Sequence, residues 1–171
     1  KDETILLKGA RIFRFEDINQ LLQQKLHETV LEINLNALTH NLNYYRSLLS
    51  PGTKIMTMVK AFSYGSGSHE IAHQLQFYKT DYLAVAYTDE GVELRKAGID
   101  LPIMVMNPEE NTFETILKYD LEPEVYNLRL LETLDRTIGS QLNKLKKHIS
   151  IHIKIDTGMH RQGFMPNDIE R

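Results

Sequence analysis

Lys54-Ile55-Met56-Thr57-Met58-Val59-Lys60 reads as a short strand ending on a lysine, and Ala61-Phe62-Ser63-Tyr64-Gly65-Ser66-Gly67 reads as the turn that follows it. A helix-compatible segment, Ser68 to Phe77, begins at once. Strand, glycine-marked turn and helix in this order form the repeating unit of parallel α/β proteins, which build active sites at the C-terminal ends of their strands. The Gly-x-Gly spacing lets the backbone close on a phosphate at a helix N-terminus. Lysine is also the residue that forms Schiff bases with carbonyl cofactors. On spacing alone, a strand-end lysine with a packed stem and a solvated amine is an equal alternative.

The unit repeats downstream. Tyr82–Ala86 precedes Asp89–Ala97, Ile103–Met106 precedes Asn111–Tyr119, Glu122–Tyr126 precedes Leu128–Ile138, and Ile149–Ile155 reads as a further strand. Repetition at roughly 20–30 residues predicts a parallel β/α architecture, without separating a barrel from a doubly wound sheet. Upstream, Thr29–Leu35 alternates apolar and polar residues, a strand signal. Leu38, Leu42, Tyr45 and Leu49 then form a helical stripe, with Asn34 or Asn36 as the N-cap and Pro51-Gly52 closing the element.

The chain has 171 residues, 42% apolar and 25% charged, in the range of a globular domain with a real core. A formal charge of −3 and the absence of a basic run argue against nucleic acid as a partner. No cysteine is present, which excludes disulfides, thiol nucleophiles and thiolate metal sites, and fits a cytoplasmic setting. No apolar stretch approaches the ~20 residues that span a bilayer, so no membrane partner is expected.

Val59-Lys60-Ala61-Phe62-Ser63-Tyr64-Gly65-Ser66-Gly67 resembles the pyridoxal-phosphate lysine motif of the alanine racemases, V-K-A-x-x-Y-G-x-G. Lys154-Ile155-Asp156-Thr157-Gly158-Met159-His160-Arg161-Gln162-Gly163-Phe164 resembles that family's K-x-D-T-G-M-x-R-x-G-F segment. The blocks Asp81–Ala86, Asp89–Ile99, Pro102–Met106 and Leu121–Tyr126 fall between them in the family's order, so the likeness is collinear from about Glu28 to Arg171. Two details depart from the commonest pattern: His160 stands where glycine is usual, and Ser66 where histidine is usual.

The resemblance implies an α/β fold: part of a (β/α)8 TIM-type barrel, about five of its eight strands, of the type III pyridoxal-phosphate class. It implies pyridoxal 5'-phosphate as cofactor and alanine as small-molecule substrate, interconverted between L and D forms for peptidoglycan synthesis, in a homodimeric parent protein. The lysine matching Lys60 binds the cofactor and, once released, serves as one of two acid/base groups. The tyrosine matching Tyr64 reaches the cofactor phosphate. The arginine matching Arg161 binds both the cofactor phenolic oxygen and the substrate carboxylate, a task suited to a permanently charged planar donor fork. The lysine matching Lys154 is a candidate for carbamylation, beside Arg161. The opposing base is a tyrosine of the partner subunit, from a segment beyond Arg171, so this chain is expected to be inactive alone. The alternatives are a broad-specificity or serine racemase, and a non-enzymatic pyridoxal-phosphate carrier barrel.

Residues 1–26 read separately from residues 27–171. Ile5-Leu6-Leu7-Lys8-Gly9-Ala10-Arg11, with a helix expected from about Phe15 to Leu26, resembles the end of a Mur ligase, the muramoyl-tripeptide:D-Ala-D-Ala ligase in particular. The first segment is therefore expected to be the tail of a ligase domain in a ligase–racemase fusion.

His69-Glu70-Ile71-Ala72-His73 satisfies H-E-x-x-H, in which two histidines share one helix face to bind zinc. No third ligand is placed by sequence, and a solvated helix face is the stronger expectation. No metal is expected.

Overall fold

The computed structural model describes residues 31–145, 149–165 and 168. The chain divides into two units, Lys1–Glu32 and Ile33–Arg171; the elements that follow belong to the second. The expected strand and helix before residue 27 lie outside the described residues.

Helix α1 spans Leu35–Ser47, and Asn34 is its cap: the side-chain oxygen accepts from the Ala37 amide at 3.0 Å. That bond satisfies one of the free N–H groups of the first turn. The expected strand Thr29–Leu35 is not formed among its described residues: Leu31–Asn34 pair with no strand and Leu35 is already helical. The Asn34 cap commits the backbone to helix at that point, and alternation alone supplies no neighbour for a ladder. The apolar stripe is also shorter than the spacing suggests. Leu38 and Leu42 pack against the core, but Tyr45 and Leu49 are exposed. Arg46 fixes the helix end instead, donating to the Tyr78 and Lys79 carbonyls at 2.9 and 3.2 Å.

Five parallel strands follow: β1 (Met56–Met58), β2 (Tyr82–Val85), β3 (Ile103–Val105), β4 (Glu122–Val125) and β5 (His152–Ile153), paired in the order β1-β2-β3-β4-β5. Between them run α2 (Ser68–Phe77), α3 (Thr88–Lys96), α4 (Phe113–Lys118, led in by a 3-10 turn at Glu110–Thr112) and α5 (Leu128–Leu145). Strand order equal to chain order is that of a barrel wall. A doubly wound sheet reverses order at a switch point, and none is seen.

The register separates two faces. Met58, Ala84, Met104 and Glu122 align in one row across β1 to β4, while Leu83 aligns with Ile103 and Val105 with Pro123 in the alternate rows. Val59, Leu83, Val85, Ile103, Val105 and Val125 join Ile71, Leu75, Leu94, Phe113, Ile116 and Leu134 in the core between sheet and helices. Each large aliphatic side chain buried there contributes on the order of 1.5–3 kcal/mol. Helix α5 shows how sequence gives this packing. Asn127 caps it through the Leu130 amide at 2.8 Å, and Leu130, Leu134 and Ile138 lie one turn apart on its inner side.

The segments entering β3 and β4 are tied by Arg95. Its guanidinium donates to the carbonyls of Tyr119, Ile99, Leu101 and Asp120 at 2.6–3.0 Å. Burial pushes this group below its ordinary value, against the raising effect of Asp120, Asp100 and Glu122.

The expected strand Ile149–Ile155 shrinks to His152–Ile153. After Lys154 the chain turns on itself: Ile155 pairs with Phe164, Asp156 N donates to Phe164 O at 2.9 Å, and Phe164 N donates to Lys154 O at 2.8 Å. The backbone groups that would have extended the ladder are satisfied within the loop.

Candidate active site

Lys60 follows β1 at its C-terminal end, half-buried, and starts the expected turn in a form the sequence did not announce. Ala61, Phe62, Ser63 and Tyr64 all take positive φ, at 51°, 58°, 52° and 58°. This is one turn of left-handed helix built without glycine. Ser63 N donates to Val59 O at 3.1 Å, Gly65 N to Ala61 O at 3.0 Å, and Gly67 N to Phe62 O at 3.1 Å. The left-handed form costs roughly 1–2 kcal/mol per non-glycine residue, so the turn is strained by several kcal/mol and persists because its surroundings hold it. The sequence signalled positive φ only at Gly65 and Gly67; Ala, Phe, Ser and Tyr carry no such signal.

The turn leaves Phe62 and Tyr64 exposed and Ser63 buried. It delivers the chain through Gly67 to the first residue of α2, where no side chain caps the helix. The Ser63 and Ser68 hydroxyls are buried with no hydrogen-bond partner. The H-E-x-x-H residues of α2 are otherwise disposed: His69, Glu70 and His73 are exposed. Among the described residues no group of three or more His, Cys, Asp or Glu is placed to hold a metal.

Lys154 lies just past β5 with its Nζ 2.8 Å from Glu124 Oε2, both side chains mostly buried. Its neighbour is therefore a carboxylate rather than the Arg161 expected from sequence. One step back, His152 Nε2 lies 2.7 Å from Glu122 Oε2, and the His152 ring meets the Tyr82 ring edge-on at 5.8 Å. Sequence reasoning missed Glu122, Glu124 and Glu90. The first two were legible as a complement: Glu-Pro-Glu on one strand faces His-x-Lys on the next, with period two.

Arg161 sits exposed in the loop after β5, and no described residue partners it. Asp156 organises this loop. Its Oδ1 accepts from Gly158 N at 2.9 Å and His160 N at 3.0 Å, and its Oδ2 lies 3.2 Å from His160 Nδ1. The two backbone donors, Gly158 first, hold the Asp156 carboxyl below its usual value, with His160 adding and burial opposing. A folded value below the unfolded one means the carboxylate supports the loop above the ordinary carboxylate range. That support is lost as pH falls through the depressed value. Acid titration followed at the Gly158 and His160 amide resonances should therefore show a transition below the ordinary aspartate range. Asp156→Asn should remove it; an identical transition in that variant would exclude Asp156 as its source.

The side chains of Lys60, Tyr64 and Arg161 make no hydrogen bond or ion pair to any described residue, so an amine, a phenol and a guanidinium are free to meet a ligand. They are not gathered by the described chain itself. Lys60 and Arg161 belong to opposite edges of the five-stranded sheet, at the C-terminal ends of β1 and β5.

The fold and site define a β/α-barrel protein with a strand-end lysine and a separate arginine loop. The family pattern "Alanine racemase, N-terminal domain" matches residues 33–171, and the chain belongs to that family. Its members depend on pyridoxal phosphate. The alanine racemase of Halothermothrix orenii is 40% identical over 141 residues, covering 82% of this chain and 36% of that protein. An amino-acid racemase of Enterococcus faecalis is 39% identical over 142 residues, covering 82% of this chain and 19% of that one. Among solved structures, the alanine racemase of Clostridium difficile 630 superposes with a TM-score of 0.75 at 38% identity, covering 84% of this chain and 38% of that one. The chain thus spans little more than a third of the length of the alanine racemases it matches.

Proposed function

We propose that this chain carries the lysine side of a pyridoxal-phosphate racemase active site, with alanine as the substrate, within a parent protein that completes the site. The carrying observation is the position of Lys60: at the C-terminal end of a parallel strand, opening a strained turn, in a chain of the alanine racemase N-terminal domain family. The cofactor supplies an electron sink that acidifies the substrate α-carbon. Lys60 would hold it and then exchange a proton at Nζ with one face of that carbon. Tyr64 would donate its hydroxyl to the phosphate, and Arg161 would present its fork to the substrate carboxylate.

The parent is a cytoplasmic homodimer in which residues 27–171 open the racemase barrel and residues 1–26 close a Mur ligase domain. One half supplies D-alanine and the other attaches a D-Ala-D-Ala dipeptide during peptidoglycan synthesis. The similarity of the Enterococcus faecalis amino-acid racemase keeps a broader substrate range in view. The Asp156-Thr157-Gly158-Met159 loop, ordered by the Asp156 carboxylate on the Gly158 and His160 amides just before Arg161, favours a racemase over a carrier that binds cofactor alone.

The test is chemical. The chain is incubated with pyridoxal 5'-phosphate and reduced with borohydride, and the pyridoxyl-bearing peptide is mapped by mass spectrometry. One dominant adduct on Lys60, absent from Lys60→Met, is the expected result. Adducts scattered over surface lysines of a folded sample would remove the basis for assigning the site.

A further inference from the structure

Glu90 is the third residue of α3, and its carboxylate reaches three backbone amides. Oε2 accepts from Ala86 N at 2.7 Å and Tyr87 N at 3.1 Å, the groups that link the end of β2 to the start of α3. Oε1 crosses to the neighbouring β/α unit and accepts from Ala61 N at 2.6 Å. Ala61 is the residue after Lys60 and the first of the left-handed turn.

We infer that Glu90 is a positioning residue for Lys60, holding the peptide unit between Lys60 and Ala61 fixed against the end of β2; the inference rests on the role proposed above for Lys60.

The turn opposes its own backbone sterics, and the side chains of Ala61, Phe62 and Tyr64 offer it nothing. A restraint must come from outside, and the Ala61 amide receives one from an ionised acceptor, the stronger kind of hydrogen bond. Only a carboxylate fits the donor set, because amides converge on both of its oxygens. A glutamine accepts with one oxygen, and its NH2 would face an N–H on the other side. Finally, the region leaves room for adjustment: a cavity of about 60 Å³ lined by Val59, Phe62, Ser68, Glu90, Glu93 and Leu94 adjoins the turn. The buried Ser68 hydroxyl has no protein partner, so an ordered water fits there. Without Glu90 the turn has space to relax, and the direction of the Lys60 side chain relaxes with it.

The experiment uses the full chain with pyridoxal 5'-phosphate as probe, borohydride trapping, and lysine-by-lysine quantification. Glu90→Gln should lower the Lys60 adduct by about tenfold, the effect of losing one charge-assisted bond, while adducts on surface lysines and the melting temperature change little. Glu90→Asp, which keeps two acceptor oxygens on a shorter stem, should recover part of the Lys60 labelling. Equal labelling of Lys60 in wild type and Glu90→Gln would overturn the inference and leave the Lys60 assignment standing. A parallel fall of all adducts with the melting temperature in both variants would also overturn it, since that marks a merely structural residue. If Lys60 is unlabelled even in folded wild type, the functional proposal fails, and the Ala61 amide decides the rest. Selectively faster exchange of that amide in Glu90→Gln, or in Glu90→Asp where the glutamine variant does not fold, keeps the positioning role; unchanged exchange removes it.

Discussion

Gly163→Ala is expected to lower the stability of the chain by about 3 kcal/mol and to release the arginine loop. Gly163 has φ +130°, a conformation that side chains rarely adopt, and an added Cβ would lie 2.7 Å from Asp156 N and 3.0 Å from Ile155 C. Those atoms are backbone, so no side-chain rotation relieves the clash. Strain at such a φ and overpacking each cost on the order of 1–3 kcal/mol. The damage spreads because the same backbone holds the loop shut: Asp156 N bonds to Phe164 O and Phe164 N to Lys154 O. Phe164 is a core residue, so its displacement opens apolar surface as well. For a chain of this length the melting temperature should fall by roughly 6–12 °C. A melt within about a degree of wild type would show that the loop closes without this contact.

The fold was legible because its signals are periodic. Apolar runs in strands β2 and β3, the β/α spacing that repeats through β4, and the α5 stripe are repeated constraints, and a local error in one does not move the others. The N-cap was narrowed to Asn34 or Asn36 for a different reason, since few side chains do that task, and the structure selects Asn34. Single-occurrence features were harder. Thr29–Leu35 alternates as a strand should, yet the pattern cannot say whether a neighbour lies alongside Leu31–Asn34. The end of β5 was misjudged because Ile155 finds its partner, Phe164, nine residues on in its own loop. At the candidate site, Lys60 was singled out by its strand-end position and by resemblance, and Arg161 by resemblance; the role expected of each rests on that family likeness. The left-handed turn was not found, because it is imposed by surroundings rather than by Ala61–Tyr64 themselves. Glu90 was noticed only as an unplaced carboxylate beside the H-E-x-x-H pattern, although its place in the first turn of α3 suits a glutamate that accepts from amides there. Nothing local says that its second oxygen serves Ala61, 29 residues away.

Removing Glu124 should have the second large effect, and the sign of its double variant is the sharper test. Glu124→Ala leaves the Lys154 ammonium mostly buried without its counter-charge 2.8 Å away. Breaking a fully buried pair costs roughly 3–5 kcal/mol; residual solvent contact at both side chains reduces the expectation to about 2 kcal/mol. Replacing both partners, as in Glu124→Leu with Lys154→Met, should recover most of that loss, because the desolvation penalty of both charges disappears together. If the double variant were as unstable as the single one, packing rather than the ion pair would be responsible. The same pair bears on the carbamylation expected of Lys154. A neutral amine adds to carbon dioxide and releases a proton, leaving a carboxylate attached to the nitrogen. Glu124 works against that product, because its own carboxylate lies 2.8 Å from Lys154 Nζ and repels the new anion. A carbamate carbon should therefore be absent from wild type in 13C-bicarbonate solution and should appear only once Glu124 is removed, as in Glu124→Ala. A carbamate signal in wild type would mean that Glu124 yields its place, and that Arg161 or a group outside the described residues supplies the compensating charge.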